Sequence, residues 1–205
     1  MPGRGPLSGH PENPAVVRAV PRNQNGPVDG SPLREDLIDL SDYVWRRLID
    51  RLEGLTDEEY LWEPVPGCWS IHPRPDGLWT WDFSWPEPDP PPITTIAWRL
   101  VHITVNDDRF RPWLGLGPHP HRPHRTVPPT AEAAVEVVAA TRAERREDLI
   151  ETTDLRLGEQ IGPLGGPYAE RTRVSWVLHV LDEVIHHGAE VGLLRDLYGE
   201  RYRHA

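Results

Sequence analysis

Lysine is missing from this chain. All 22 basic residues among its 205 are arginine, set against 32 carboxylates, for a formal charge of −10. No sustained basic run is present. A protein that grips a phosphate backbone normally shows a basic face, so nucleic acid is not an expected partner. Cysteine is nearly missing too. Cys68 stands alone, which excludes an intrachain disulfide and fits a reducing compartment. A lone cysteine in an aromatic loop is ordinarily inert; a reactive thiol is the less common alternative. No run approaches the roughly 18 apolar residues that mark a membrane span. The first residues lack the apolar core of a secretory signal. The expectation is a cytoplasmic protein with one domain of ordinary size, and with no internal repeat.

Four long amphipathic segments organise what is present. Met1 to Gly30 is rich in Pro, Gly, Asn and Arg and reads as a disordered or loosely docked arm, with Val16, Val17 and Val20 as the residues that could dock it. A domain over residues 31–205 follows. Ser31-Pro32 reads as a helix start, and Leu33, Leu37, Leu40, Val44, Leu48, Leu52 and Leu55 recur at spacings of three and four. Arg46, Arg47, Asp50 and Arg51 occupy the other face. Thr56 with Glu59 forms a capping box for a short helical turn.

Residues 63–92 make a long Pro/Gly-punctuated connection. With Trp62 just before it, this stretch carries Trp69, Trp79, Trp81 and Trp85. A small hairpin turning at Asp76-Gly77 is expected, and Trp62, Trp69, Trp79 and Trp81 could wall a pocket or plug one end of a helical core. Thr94 or Thr95 starts a second helix expected to reach about Trp113. It is apolar nearly all round and therefore central, with His102 between Val101 and Ile103.

A Pro/His/Arg loop follows, with His119, His121 and His124 and no carboxylate or thiol partner; it reads as an exposed linker. The third helix is expected from Thr130 to about Thr153. Ala134, Val135, Val138, Ala139, Leu149 and Ile150 face inward, and Glu144 to Asp148 form a charged surface. A Gly-rich connection leads to a fourth helix, about Thr172 to Tyr198, which Gly199 would stop. Four such helices make an all-α four-helix bundle with a long Trp/Pro-rich connection between the first two.

The most informative stretch lies in that last helix, LHVLDEVIHHGAEVGLL from Leu178 to Leu194. At about 100° per residue, Val177, Val180, Leu181, Val184, Ile185 and Val191 share one arc. His179, Asp182, His186 and Glu190 lie opposite. Glu183 and His187 fall at the seam, one turn apart, where a carboxylate and an imidazole are neighbours. Both are good ligands for zinc, iron or nickel; the simpler reading is a helix-surface hydrogen bond. Gly188 and Gly192 lie on the apolar side, where close helix packing would account for them. His102 from the second helix would complete a set of two histidines and one carboxylate, leaving positions open for water or substrate.

Two segments, TTIAWRLVHI and HVLDEVIHHGAEVGLLRDLY, carry a resemblance to the DinB family of metal-binding four-helix bundles, over roughly Leu33 to Tyr198. His102 and His187 match that family's histidine positions; Glu183 stands where histidine is commoner. The mycothiol-dependent maleylpyruvate isomerase branch uses a His, Glu, His set of this kind, so the departure points toward it. The resemblance implies a divalent metal, most simply zinc, held by His102, Glu183 and His187. It also implies a low-molecular-weight thiol as co-substrate, and the arginine-only composition favours mycothiol over bacillithiol. The thiolate would attack a small electrophile in S-transfer or isomerisation. His179, Asp182, His186 and Glu190 would support the site or lie on the surface. Arg99 or Arg109 would bind an anionic group of thiol or substrate, with Trp69 and Trp81 beside it. A homodimer is compatible with the family. The alternatives are a thiol-independent metalloenzyme of specialised metabolism and a non-catalytic, stress-related metal-binding bundle.

Overall fold

The computed structural model describes residues 31–105, 109–117 and 125–203. The N-terminal arm, with Val16, Val17 and Val20, and the histidine-rich loop, with His119, His121 and His124, lie outside the described residues.

Four helices form the frame: α1 (Pro32–Leu52), α3 (Ile96–Thr104), α5 (Ala131–Glu151) and α7 (Arg173–Arg203). Helix α1 packs against α7 and α5, and α3 packs against the same two from the other side. Shorter elements join them: α2 (Asp57–Tyr60), strands β1 (Ile71–Pro73) and β2 (Trp79–Trp81), α4 (Phe110–Trp113), α6 (Asp154–Gly158) and a 3-10 turn over Pro163–Tyr168. The all-α bundle expected from periodicity is the architecture found. Among the described residues, no helix is long and apolar enough to cross a membrane.

The core is built from Leu37, Val44, Trp45, Leu48 and Leu52 of α1, Ile96, Leu100, Val101 and Ile103 of α3, Ala134, Val138 and Leu149 of α5, and Val177, Val180, Leu181, Val184 and Val191 of α7. Helix α3 is buried on nearly every side, as an all-round apolar helix must be.

Two helix starts are capped from elsewhere in the chain. Ser31 makes no side-chain cap for α1. The carboxylate of Asp154 accepts instead from the backbone N–H of Leu33, at 3.1 Å, and of Arg34, at 2.9 Å. Asp57 likewise accepts from Ala131 N at the start of α5 (2.8 Å). Acceptors at these positions meet otherwise unpaired first-turn donors, tying the connections to the frame. Thr56 does cap α2, accepting from Glu59 N, but the Glu59 carboxylate is taken by Arg195 Nε at 2.8 Å.

The hairpin forms as its turn chemistry predicts. Ile71 pairs with Trp81, His72 with Thr80 and Pro73 with Trp79. Gly77 takes φ +80°, a left-handed conformation that glycine adopts at no steric cost. Asp82, just past β2, accepts from Ser70 N and His72, and its carbonyl accepts from Trp98 Nε1 at 2.8 Å, which docks the hairpin on α3.

Several expectations need correction. Helix α3 ends at Thr104, and a separate short α4 begins at Phe110, so the helix expected to reach Trp113 is two elements. Gly199 does not stop α7, which runs on to Arg203. The expected Gly-rich connection after α5 contains α6 and the 3-10 turn. Leu33, Leu40, Ala139, Ile150 and Ile185 are exposed rather than inward.

The charged run on α5 is not all surface, since Arg145 and Asp148 are 3% and 1% exposed. Arg145 donates to the Ile103 carbonyl at 2.9 Å and lies over the Trp45 and Phe110 rings. Asp148 accepts from Arg111 at 2.6 Å. These buried charges are held by long-range partners, the condition under which burial is tolerated.

Gly188 and Gly192 face α1, as close packing would require. A Cβ at 188 would make ordinary contact with Leu48, whereas one at 192 would press on the Arg51 guanidinium, which donates to the Gly192 carbonyl and to Asp196.

Candidate metal centre

Helices α3 and α7 cross so that His102 faces the seam of α7. His102 Nε2 lies 3.0 Å from Glu183 Oε2. His187 Nε2 lies 3.2 Å from the same oxygen. The two imidazole rings meet edge to face with centroids 4.8 Å apart. One ligand atom from each of the three residues lies within 4.8 Å of the others. Nitrogen and oxygen ligands at tetrahedral angles around one zinc ion stand roughly 3.3 Å apart. The donor set and its spacing fit a single divalent ion.

The electrostatics point the same way. Hydrogen bonds from His102 and His187 hold the Glu183 carboxyl well below the usual carboxylate range, outweighing its burial. Burial pushes the His187 imidazole below its ordinary value, against the opposing pull of Glu183. These two tendencies compete, because a neutral imidazole has only one N–H to give. His187 Nδ1 lies 2.7 Å from Glu190 Oε2, the shorter contact, and we assign the proton there. Nε2 then turns a lone pair toward an ionised carboxylate, an arrangement that a cation between them satisfies.

Glu190 is in turn paired with Arg99. The guanidinium also lies 3.1 Å from His187 Nδ1, but as a donor it makes no hydrogen bond to that nitrogen while the nitrogen carries the proton. Burial lowers the Arg99 pKa to about 10, which leaves it charged at neutral pH. Carboxylates that accept the second ring N–H of a ligating histidine fix its tautomer and orientation. His102 is oriented differently. Its ring stacks on Trp98 at 5.0 Å and 10°, and its Nδ1 is buried without a partner among the described residues.

The remaining residues singled out in the sequence fall into distinct places. His179 Nδ1 is 3.9 Å from Glu183 Oε1, at the edge of the site. His186 is exposed and lies 3.3 Å from Glu190. Asp182 is exposed on the far side of α7. Trp81 stands 6.0 Å from the His102 ring, and Trp69 touches the site through Trp98. Trp62 is placed elsewhere, against Tyr198 and Arg201 near the end of α7. Trp79 packs on the core. Arg99 is committed to Glu190, whereas Arg109 lies over Trp113 and Trp176. Cys68 is buried, and burial together with nearby carboxylates raises its thiol pKa, the inert state expected of it.

Sequence reasoning missed Trp98 and Trp176. Their signal was spacing: Trp98 precedes His102 by four residues and Trp176 precedes His179 by three, so each shares a helix face with a site histidine.

A cavity of about 130 Å³ opens at the site beside His102, Glu183, His179, Trp176 and Arg109. The cluster therefore has one face toward open space, as a catalytic rather than a structural ion requires.

No curated protein and no solved structure matches the chain. A family model described as DinB superfamily matches residues 41–191, which run from within α1 into α7 and include all three clustered side chains. With that match over most of its length and the bundle beneath it, the chain belongs to the DinB superfamily, whose members usually bind a divalent metal.

Proposed function

We propose that the protein is a divalent-metal-dependent enzyme that uses a low-molecular-weight thiol, mycothiol, as nucleophile against an electrophilic small molecule, in S-transfer or isomerisation. The observation that carries this reading is the convergence of His102, Glu183 and His187 from two helices onto one point that opens into a cavity. Zinc suits two imidazoles and one carboxylate. A divalent cation there would favour the thiolate of the co-substrate over the thiol.

The chain's own residues supply the rest. Glu190 and Arg99 hold the His187 ring, and Trp98 holds the His102 ring. Trp81 and Trp98 pack around the His102 ring on the α3 side of the site. Cys68, the only cysteine, is buried and its thiol pKa is raised, which supports a sulfur nucleophile supplied from outside the chain.

Incubation of the metal-loaded protein with mycothiol and a small electrophile tests the reading. A thiol conjugate or an isomerised product that depends on both metal and thiol supports it. Turnover without thiol would favour a thiol-independent enzyme on the same scaffold.

A further inference from the structure

Beyond the opening at the cluster, the space continues along α7. A second cavity, of about 370 Å³, shares Arg109, Trp176 and His179 with the first and extends past Trp113, Tyr168 and Arg171. Its volume falls within the roughly 300–1,000 Å³ of small-molecule sites. Its walls are of two kinds. Trp113 and Trp176 stand 4.4 Å apart between ring centroids, with Tyr168 6.1 Å from Trp113, so aromatic surface lines one side.

Two guanidinium groups provide the charge. Arg109 sits 5.4 Å over the Trp113 ring and 5.6 Å over the Trp176 ring, and these cation–π contacts fix its position. Neither Arg109 nor Arg171 has a carboxylate partner among the described residues, although the protein carries ten more acidic than basic side chains. Arg99, Arg111, Arg125, Arg142, Arg146, Arg173 and Arg195 are all paired. Arg34, Arg46, Arg47 and Arg156 also show no carboxylate partner among the described residues, but Arg34 and Arg156 are held by backbone carbonyls and Arg46 and Arg47 lie over Tyr43. What distinguishes Arg109 and Arg171 is that both line one aromatic-walled cavity.

We infer that this cavity is a substrate subsite for a small carboxylic acid with a flat, aromatic or conjugated body. The acid would lie against Trp113 and Trp176 with its carboxylate on Arg109 and Arg171, and with its other end toward the cluster. The inference deepens the reading of the metal centre and rests on it for the word substrate; binding at the cavity can be tested apart from it. Charge-assisted hydrogen bonds from guanidinium to carboxylate are the strong kind, and they discriminate an acid from its neutral amide.

Calorimetric titration with benzoate and with benzamide provides the test. The wild-type protein should bind benzoate about tenfold or more tightly than benzamide. Arg109→Gln and Arg171→Gln should each erase most of that preference, with benzamide binding and metal content unchanged. His102→Ala should lose metal yet keep the preference for benzoate, so failure of the metal reading and failure of the subsite are told apart. Equal binding of acid and amide by the wild-type protein, no benzoate binding at millimolar concentration, or a preference that survives the double arginine variant would overturn the inference.

Discussion

Glu190 Oε2 lies 2.7 Å from His187 Nδ1, on the side of the ring away from Glu183. One imidazole thus stands between two carboxylates, one that would share its ion and one that orients it. A Glu190→Gln exchange keeps the shape and weakens the acceptor. Partners of this kind are worth 10–100-fold in metal affinity. Competition with a chromophoric chelator should show a loss of about that size, with near-wild-type circular dichroism.

The buried pair of Asp148 and Arg111 offers a test of the frame itself. Asp148→Ala leaves the Arg111 guanidinium, 11% exposed, with the half-exposed Glu151 as its carboxylate and the Gly117 carbonyl as a further acceptor. Removing one partner of a buried ion pair costs about 3–5 kcal/mol, and the remaining contact to Glu151 should hold the loss near the lower end. Urea denaturation should register it as a lower midpoint with an unchanged slope.

Tyr60 gives the protein an alkaline limit. Its ring is fully buried and its hydroxyl donates to the Pro128 carbonyl at 2.9 Å. Burial, with Asp57 nearby, raises its pKa above the ordinary value. The folded state therefore holds the phenolic proton more tightly than the unfolded state. This contribution is complete below the unfolded pKa of about 10 and is lost as pH rises beyond it. Tyr60→Phe should cost about 1 kcal/mol at neutral pH and flatten the decline in melting temperature above about pH 10. An unchanged alkaline decline would assign it to other groups.

Helical periodicity made the bundle legible, because four stripes of apolar residues at spacings of three and four have few other ways to be buried. Asp76-Gly77 located the hairpin for an equally local reason. What stayed hidden depended on partners distant in sequence. Arg145 and Asp148 sit in a run that looks solvated, and partners brought in by α3 and α4, the Ile103 carbonyl and Arg111 among them, make their burial tolerable. The side-chain cap on α1 comes from Asp154, some 120 residues away, so Ser31-Pro32 marks where the helix starts but not what caps it. Glu190 falls on the polar side of a helical wheel beside His186. Its long side chain leans back toward the preceding turn and reaches His187, which a wheel of Cα directions does not show. The cavity beyond the cluster needed Trp113, Tyr168 and Trp176 from three separate elements, and no single stretch of sequence announces it.

The central claim is that His102, Glu183 and His187 hold one divalent ion. Elemental analysis of protein purified without a histidine tag tests it most directly, comparing the wild type with a His102→Ala, His187→Ala double variant of matched circular dichroism. The account predicts one equivalent of metal, zinc foremost, in the wild type and almost none in the variant. Full occupancy of the double variant, or a wild type that takes up no divalent metal when it is supplied, would contradict it.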